Sequence, residues 1–149
     1  MFFEVPVPKN EPVLSYKSGS PERVALEKAL SELYSQEIEI PAIIGGKEVF
    51  TGNTDYSICP QEHGHHLAKY HKVSSSEIQM AIESATKVRR DWEEMPFYHR
   101  SAIFLKAAEL LSTKYRFLLN AATMLGQSKN AHQAEIDSAC ELIDFWRFN

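Results

Sequence analysis

What this sequence holds little of narrows the field first. Cysteine is confined to Cys59 and Cys140. The two form no CxxC pair or other ligand spacing, which excludes a disulfide scaffold or zinc ribbon and fits a reducing compartment. Positive charge is not in excess. The formal net charge is −4, and no basic run offers a track for phosphates, so a nucleic-acid surface is not expected. No apolar run approaches the roughly 20 residues that span a bilayer, so no membrane partner is expected either. The opening residues, MFFEVPVPKNEPVL, lack the basic leader and unbroken apolar stretch of a secretory signal, and they lack the arginines of a mitochondrial presequence. Gly45-Gly46 sits in no dinucleotide or mononucleotide phosphate-loop frame.

What is present suits one domain: 149 residues can bury a real core, and 44% hydrophobic with 24% charged residues is ordinary for a globular chain. Residues 1–19, with Pro6, Pro8 and Pro12, read as an extended arm. Ser20-Pro21-Glu22 opens a helix, with serine as cap and proline at the first helical position. Leu26, Ala29, Leu30 and Leu33 give that helix one apolar stripe. Two apolar runs around Gly45-Gly46, from Ile40 to Phe50, spell a β-hairpin. Residues 54–59 and 66–73 read as two short strands, joined by a turn holding Pro60, Gly64 and the histidines His63 and His65. Ser74 and Glu77 form a capping box before a helix striped by Ile78, Ala81, Ile82, Ala85, Val88 and Trp92. After Pro96 comes a helix striped by Ile103, Ala107, Leu110 and Leu111, then an apolar segment from Tyr115 to Leu125 that ends at Gly126.

The last stretch, NAHQAEIDSACELIDFWRFN (130–149), reads as one amphipathic helix capped by Asn130. At 100° per residue, Ala131, Ala134, Ala139, Leu142, Ile143, Phe145 and Trp146 share an apolar face, and His132 leans toward it. Asp137, Glu141 and Asp144 gather opposite. Glu135 stands in the middle of the apolar face, where a carboxylate must find a partner, line a wet cavity or take up a proton. The bland alternative is a buried glutamate satisfied by a tyrosine, an arginine or a backbone donor. The chain then stops after Phe148-Asn149 with no cap glycine, and reads as cut rather than finished.

Other constellations carry less. His63, His65, His66 and His71 look metal-like, but no carboxylate or thiolate stands at a convincing ligand spacing, and no metal is expected. Neither cysteine has a helix N-terminus or adjacent cation to lower its pKa, so Cys140 reads as core packing. Arg89-Arg90 reads as a solvated helix edge beside Glu93 and Glu94.

Several blocks nevertheless agree in order and spacing with one family. NEPVLSYKSGSPER (10–23), IPAIIGGKEVFTG (40–52), CPQEHGHHLAKY (59–70), RSAIFLKAAELLS (100–112) and above all GQSKNAHQAEIDSACELIDFWRFN (126–149) resemble the leading quarter of the 1-pyrroline-5-carboxylate (glutamate-semialdehyde) dehydrogenases of the NAD-dependent aldehyde dehydrogenase superfamily. The resemblance implies an α/β, Rossmann-like fold, of which this chain is an N-terminal piece: a small antiparallel hairpin region followed by mostly α-helices. Residues 20–149 would be the incomplete start of an NAD-binding domain. It implies oxidation of glutamate semialdehyde to glutamate in proline breakdown, NAD as cofactor, a homo-oligomer and a mitochondrial matrix location. The catalytic cysteine, the general-base glutamate and the NAD loops would all lie outside these residues, leaving the chain inactive alone. Glu135 in the AEID motif is then expected at the substrate channel. The rival expectation is a free-standing helical module that pairs with a full-length subunit.

Overall fold

The computed structural model describes residues 6–149; the first five residues of the expected arm lie outside the described residues. The described residues form two compact units, one from residues 6–35 and 96–149, the other from residues 36–95. In the first, residues 6–17 have no regular secondary structure. Helix α1, Pro21–Tyr34, begins where the Ser20 hydroxyl accepts the Arg23 amide.

The second unit holds the strands. β1 (Ile38–Ile40) ends at Pro41, which has no amide to donate. β2 (Ala42–Ile44) and β3 (Lys47–Val49) form the expected hairpin, with Gly45 at φ +59° and Gly46 at φ +76° in the left-handed region that glycine occupies without penalty. β4 (Thr54–Cys59) pairs antiparallel with β5 (Glu62–His71), and β1 adds to β5 in parallel with Ile38 opposite Ala68. The turn between β4 and β5 is tighter than the sequence suggested. Pro60-Gln61 alone make it, so His63, Gly64, His65 and His66 belong to β5. Register shifts beside Ile58 absorb the mismatch.

Helix α2, Ser75–Glu94, has the predicted capping box: the Ser74 amide donates to Glu77 at 2.7 Å, and the Ser74 and Ser76 hydroxyls bond the same carboxylate. Bonds from the Ser74 hydroxyl and amide pull Glu77 down to about 2. The apolar stripe of α2 stays open within its unit, with Ile78, Ile82 and Val88 all more than half exposed.

Back in the first unit, α3 (Phe97–Ser112) starts after Pro96, which holds Met95 in an extended conformation. α4 (Arg116–Gln127) runs past Gly126 and stops at Ser128, which takes the left-handed conformation expected of that glycine. Asn130 caps α5 (Ala131–Ala134) in a second capping box, with Gln133. The expected single last helix is interrupted: Glu135–Cys140 form a π-helical turn before α6, Glu141–Phe148. A π turn makes i→i+5 bonds and advances less around the axis per residue, so the residues after it lag the straight-helix phase. Phe145 accordingly points away from the core and is 60% exposed, while Ile143 is fully buried. His132 is exposed as well. Two small cores result. Tyr16, Leu26, Ala29 and Ala121 join the arm, α1 and α4, and Ala108, Leu111, Ala139 and Ile143 join α3 to the π turn and α6.

The interrupted helix predicts an unequal pair of truncations. Ile143→Ala should lower stability by about 2–5 kcal/mol through the cavity it leaves, and Phe145→Ala by no more than about 0.5 kcal/mol. Urea unfolding of both variants checks this. A larger loss at Phe145 would restore the uninterrupted helix.

Candidate functional site: a buried carboxylate and its donors

Glu135 opens the π turn, and its side chain is completely buried. An ionised carboxylate out of water needs donors on both oxygens, and here five bonds supply them. Oε1 accepts the Leu14 amide at 2.7 Å and Arg116 Nη2. Oε2 accepts the Tyr16 hydroxyl at 2.6 Å, Asn120 Nδ2 at 2.8 Å and Arg116 Nε at 3.3 Å. Arg116 and Asn120 stand one helical turn apart on α4 and so share a face. Leu14 and Tyr16 come from the arm. Tyr16 adopts φ +50° to reach in, and its ring meets Phe117 edge-on at 6.4 Å.

The network continues outward with alternating charge. Arg116 also donates to Glu11 and, at 2.7 Å, to the Pro12 carbonyl. The other oxygen of Glu11 accepts Arg147 Nη1 at 2.6 Å. Asp144 on α6 takes the Asn10 side-chain amide and the Glu11 backbone amide, both at 2.7 Å. Glu135, Arg116, Glu11 and Arg147 together carry no net charge, which limits the cost of burying them.

Burial by itself would push Glu135 upward. The bonds from Arg116, Tyr16 and the Leu14 amide, together with the Arg116 charge, outweigh it and hold the carboxyl below its ordinary 4.5. Tyr16 is raised, first by burial and then by its bond to Glu135. Arg116 is buried too, yet its bonds to Glu135 and Glu11 hold its proton more tightly than usual. Cys140 corrects one expectation, since a cation does stand beside it: Sγ lies 3.6 Å from Arg116 Nη2. Burial and the Glu135 charge still win and push the thiol up to about 11. It is a packed thiol, not a nucleophile at neutral pH.

Elsewhere the candidate groups remain apart. His71 bonds Glu39 at 3.0 Å and accepts the Gly52 amide, while His66 faces Glu37 at 3.5 Å and stacks on Tyr56. Among the described residues no group of three or more His, Cys, Asp or Glu could hold a metal ion. Arg89 and Arg90 pair with Glu93 and Glu94, each at 2.8 Å on the solvated edge. Sequence reasoning found the odd carboxylate and the kinds of donor it needs, but not Glu11, Tyr16, Arg116 or Asn120 by position. One signal was available: Arg116 and Asn120, spaced i, i+4, sit on an otherwise apolar helix.

Comparison with known proteins gives the family of the chain. Residues 51–149 match the aldehyde dehydrogenase family, and the chain belongs to that family. It is 51% identical over 147 residues to the delta-1-pyrroline-5-carboxylate dehydrogenase of Agaricus bisporus, covering 98% of this chain and 27% of the relative. With the human mitochondrial delta-1-pyrroline-5-carboxylate dehydrogenase it shares 48% identity over 140 residues, covering 94% of this chain and 25% of the relative. Among solved structures, it superposes on the Mycobacterium tuberculosis delta-pyrroline-5-carboxylate dehydrogenase bound with NAD and cobalamin. That match has a TM-score of 0.96 at 43% identity and covers 99% of this chain and 28% of that one. The chain thus spans about a quarter of the length of the relatives it matches. The fold of these described residues is that of the corresponding part of an aldehyde dehydrogenase, with a small sheet region followed by helices.

The Glu135 network sets an acid limb. Its folded pKa lies below the ordinary 4.5, so the stability it contributes is fully present above that value. It is lost as pH falls through the lower folded value. In urea melts across that window, the chain should weaken more steeply than Glu135→Gln, and Glu135→Ala should cost about 3–5 kcal/mol at neutral pH by leaving the buried Leu14, Tyr16, Asn120 and Arg116 donors without their shared acceptor. Superimposable acid limbs would show that this carboxylate is not linked to folding.

Proposed function

We propose that this chain is one quarter of an enzyme that oxidises L-glutamate γ-semialdehyde to glutamate with NAD as hydride acceptor, in the mitochondrial matrix and as a homo-oligomer. The observation that carries the reading is identity of about one half, sustained over 98% of the chain, to a protein named for that activity. The rival reading, a free-standing helical module, has no such support. NAD is by this reading the cofactor of the whole enzyme, and we assign no contact with it to residues of this chain. No catalytic residue is assigned here either.

Glu135 is the substrate-channel residue of this proposal. Both its oxygens are occupied within the chain, so it would act as a positioning residue. Its part is to fix Arg116, the arm and the π turn as the wall beside the channel, at the amino-acid end of the substrate.

The chain alone should give no aldehyde-dependent NADH, and production of NADH from glutamate semialdehyde by the pure 149 residues would overturn this assignment. Grafted in place of the matching quarter of the A. bisporus enzyme, it should support the reaction. In that graft, Glu135→Gln should lower kcat/KM for the amino-acid aldehyde by roughly tenfold or more, with plain aliphatic aldehydes much less affected. Equal losses for both substrates, with a drop in Tm, would make Glu135 a structural acid only.

A further inference from the structure

Residues 9–16 cross the first unit without helix or strand, so no ladder of their own holds them. Leu14 and Tyr16 pack into the apolar core with α1 and α4, and the polar attachments of the segment lead to two helices and the π turn. Lys9 and Glu11 meet Arg147, Asn10 and Glu11 meet Asp144, Glu11 and Pro12 meet Arg116, and Leu14 and Tyr16 meet Glu135. We propose that this segment is a strap whose seating on α4, the π turn and α6 is switched by the ionisation of Glu135.

The argument rests on which partners can leave. The bonds that reach the Glu135 oxygens all come from donors: the Leu14 amide, the Tyr16 hydroxyl, Asn120 Nδ2 and two nitrogens of Arg116. A protonated carboxyl carries an O–H that must itself donate. The Leu14 amide and Arg116 can only donate, so the acceptor must be the Tyr16 hydroxyl after it turns or the Asn120 side-chain oxygen after the amide turns over. Either change breaks a present bond to the carboxyl. Protonation therefore sets donor against donor in a fully buried space and leaves Arg116 balanced by Glu11 alone. Asn120 and Arg116 are fixed in α4. Leu14 and Tyr16 are not, and Tyr16 is seated at φ +50°, a conformation unfavourable for an aromatic residue that release would relieve. The other charged and titratable groups around the carboxyl are Cys140 on the π turn and, one step out, Arg147 and Asp144 on α6. By reciprocity, a seated strap supplies two of the donors that keep Glu135 ionised.

Residue-resolved hydrogen exchange on the full chain tests this. On acidification from roughly pH 7 to roughly pH 2, through the lowered titration of Glu135, and with rates corrected for intrinsic exchange, the Leu14 amide should lose protection before the amides of α4 do. At neutral pH, Glu135→Gln should expose Leu14 to exchange roughly tenfold faster or more, with α4 unchanged. Loss of strap and α4 protection at one common pH, or wild-type protection in Glu135→Gln, would overturn the proposal. Should that variant not fold, Tyr16→Phe removes one donor and leaves the charge intact. A several-fold faster exchange at Leu14 is then expected, and an unchanged rate overturns it.

Discussion

The first unit depends on one constraint, that a carboxylate taken wholly out of water must stay charged. The effective penalty for burying such an ion is several kcal/mol, and attraction to a single partner seldom repays it without further hydrogen bonds. Glu135 meets this demand with five bonds from the arm and α4, and with an arginine whose own charge is balanced by Glu11. Much of the local geometry follows. The irregular arm is drawn across the helices, α4 must present Arg116 and Asn120 on one face, and the last helix begins with a π turn at the carboxylate itself.

The same constraint shows what the site does not do. Cys140 lies beside a guanidinium, usually the setting of a reactive thiolate, yet burial and the Glu135 charge leave it protonated. The proximity of a cation is therefore a poor guide unless the net field and the burial are weighed with it. The four charges of the network cancel, so the assembly serves to fix geometry rather than to accept or release protons near neutral pH. This suits a wall that supports chemistry performed elsewhere in an aldehyde dehydrogenase.

Local signals for helix starts and for the hairpin turn were reliable, although the helix stop expected at Gly126 fell at Ser128. Ser20, Ser74 and Asn130 each cap the helix they announce, and Gly45-Gly46 make the hairpin turn. These features depend on residues within a few positions of one another. What the sequence hid depends on distant partners. The parallel addition of β1 to β5, the early start of β5 and the π turn are all settled by tertiary contacts that periodicity does not encode. The Glu135 donors illustrate the boundary. A tyrosine, an arginine and a backbone amide were the expected kinds of partner, but Tyr16 and Leu14 lie 119 and 121 residues away in sequence. Phe145 failed for a related reason, because its placement assumed a straight helix through a turn that the buried carboxylate interrupts.

The central claim is that Glu135 is ionised while fully buried, and its own titration tests that most directly. With the glutamate side-chain carboxyl carbons labelled, the Glu135 resonance can be followed by 13C NMR as the folded chain is acidified. The account predicts a midpoint below the ordinary 4.5, moving upward when the Tyr16 hydroxyl is removed in Tyr16→Phe. A midpoint above the ordinary value, or one indifferent to that hydroxyl, would contradict it.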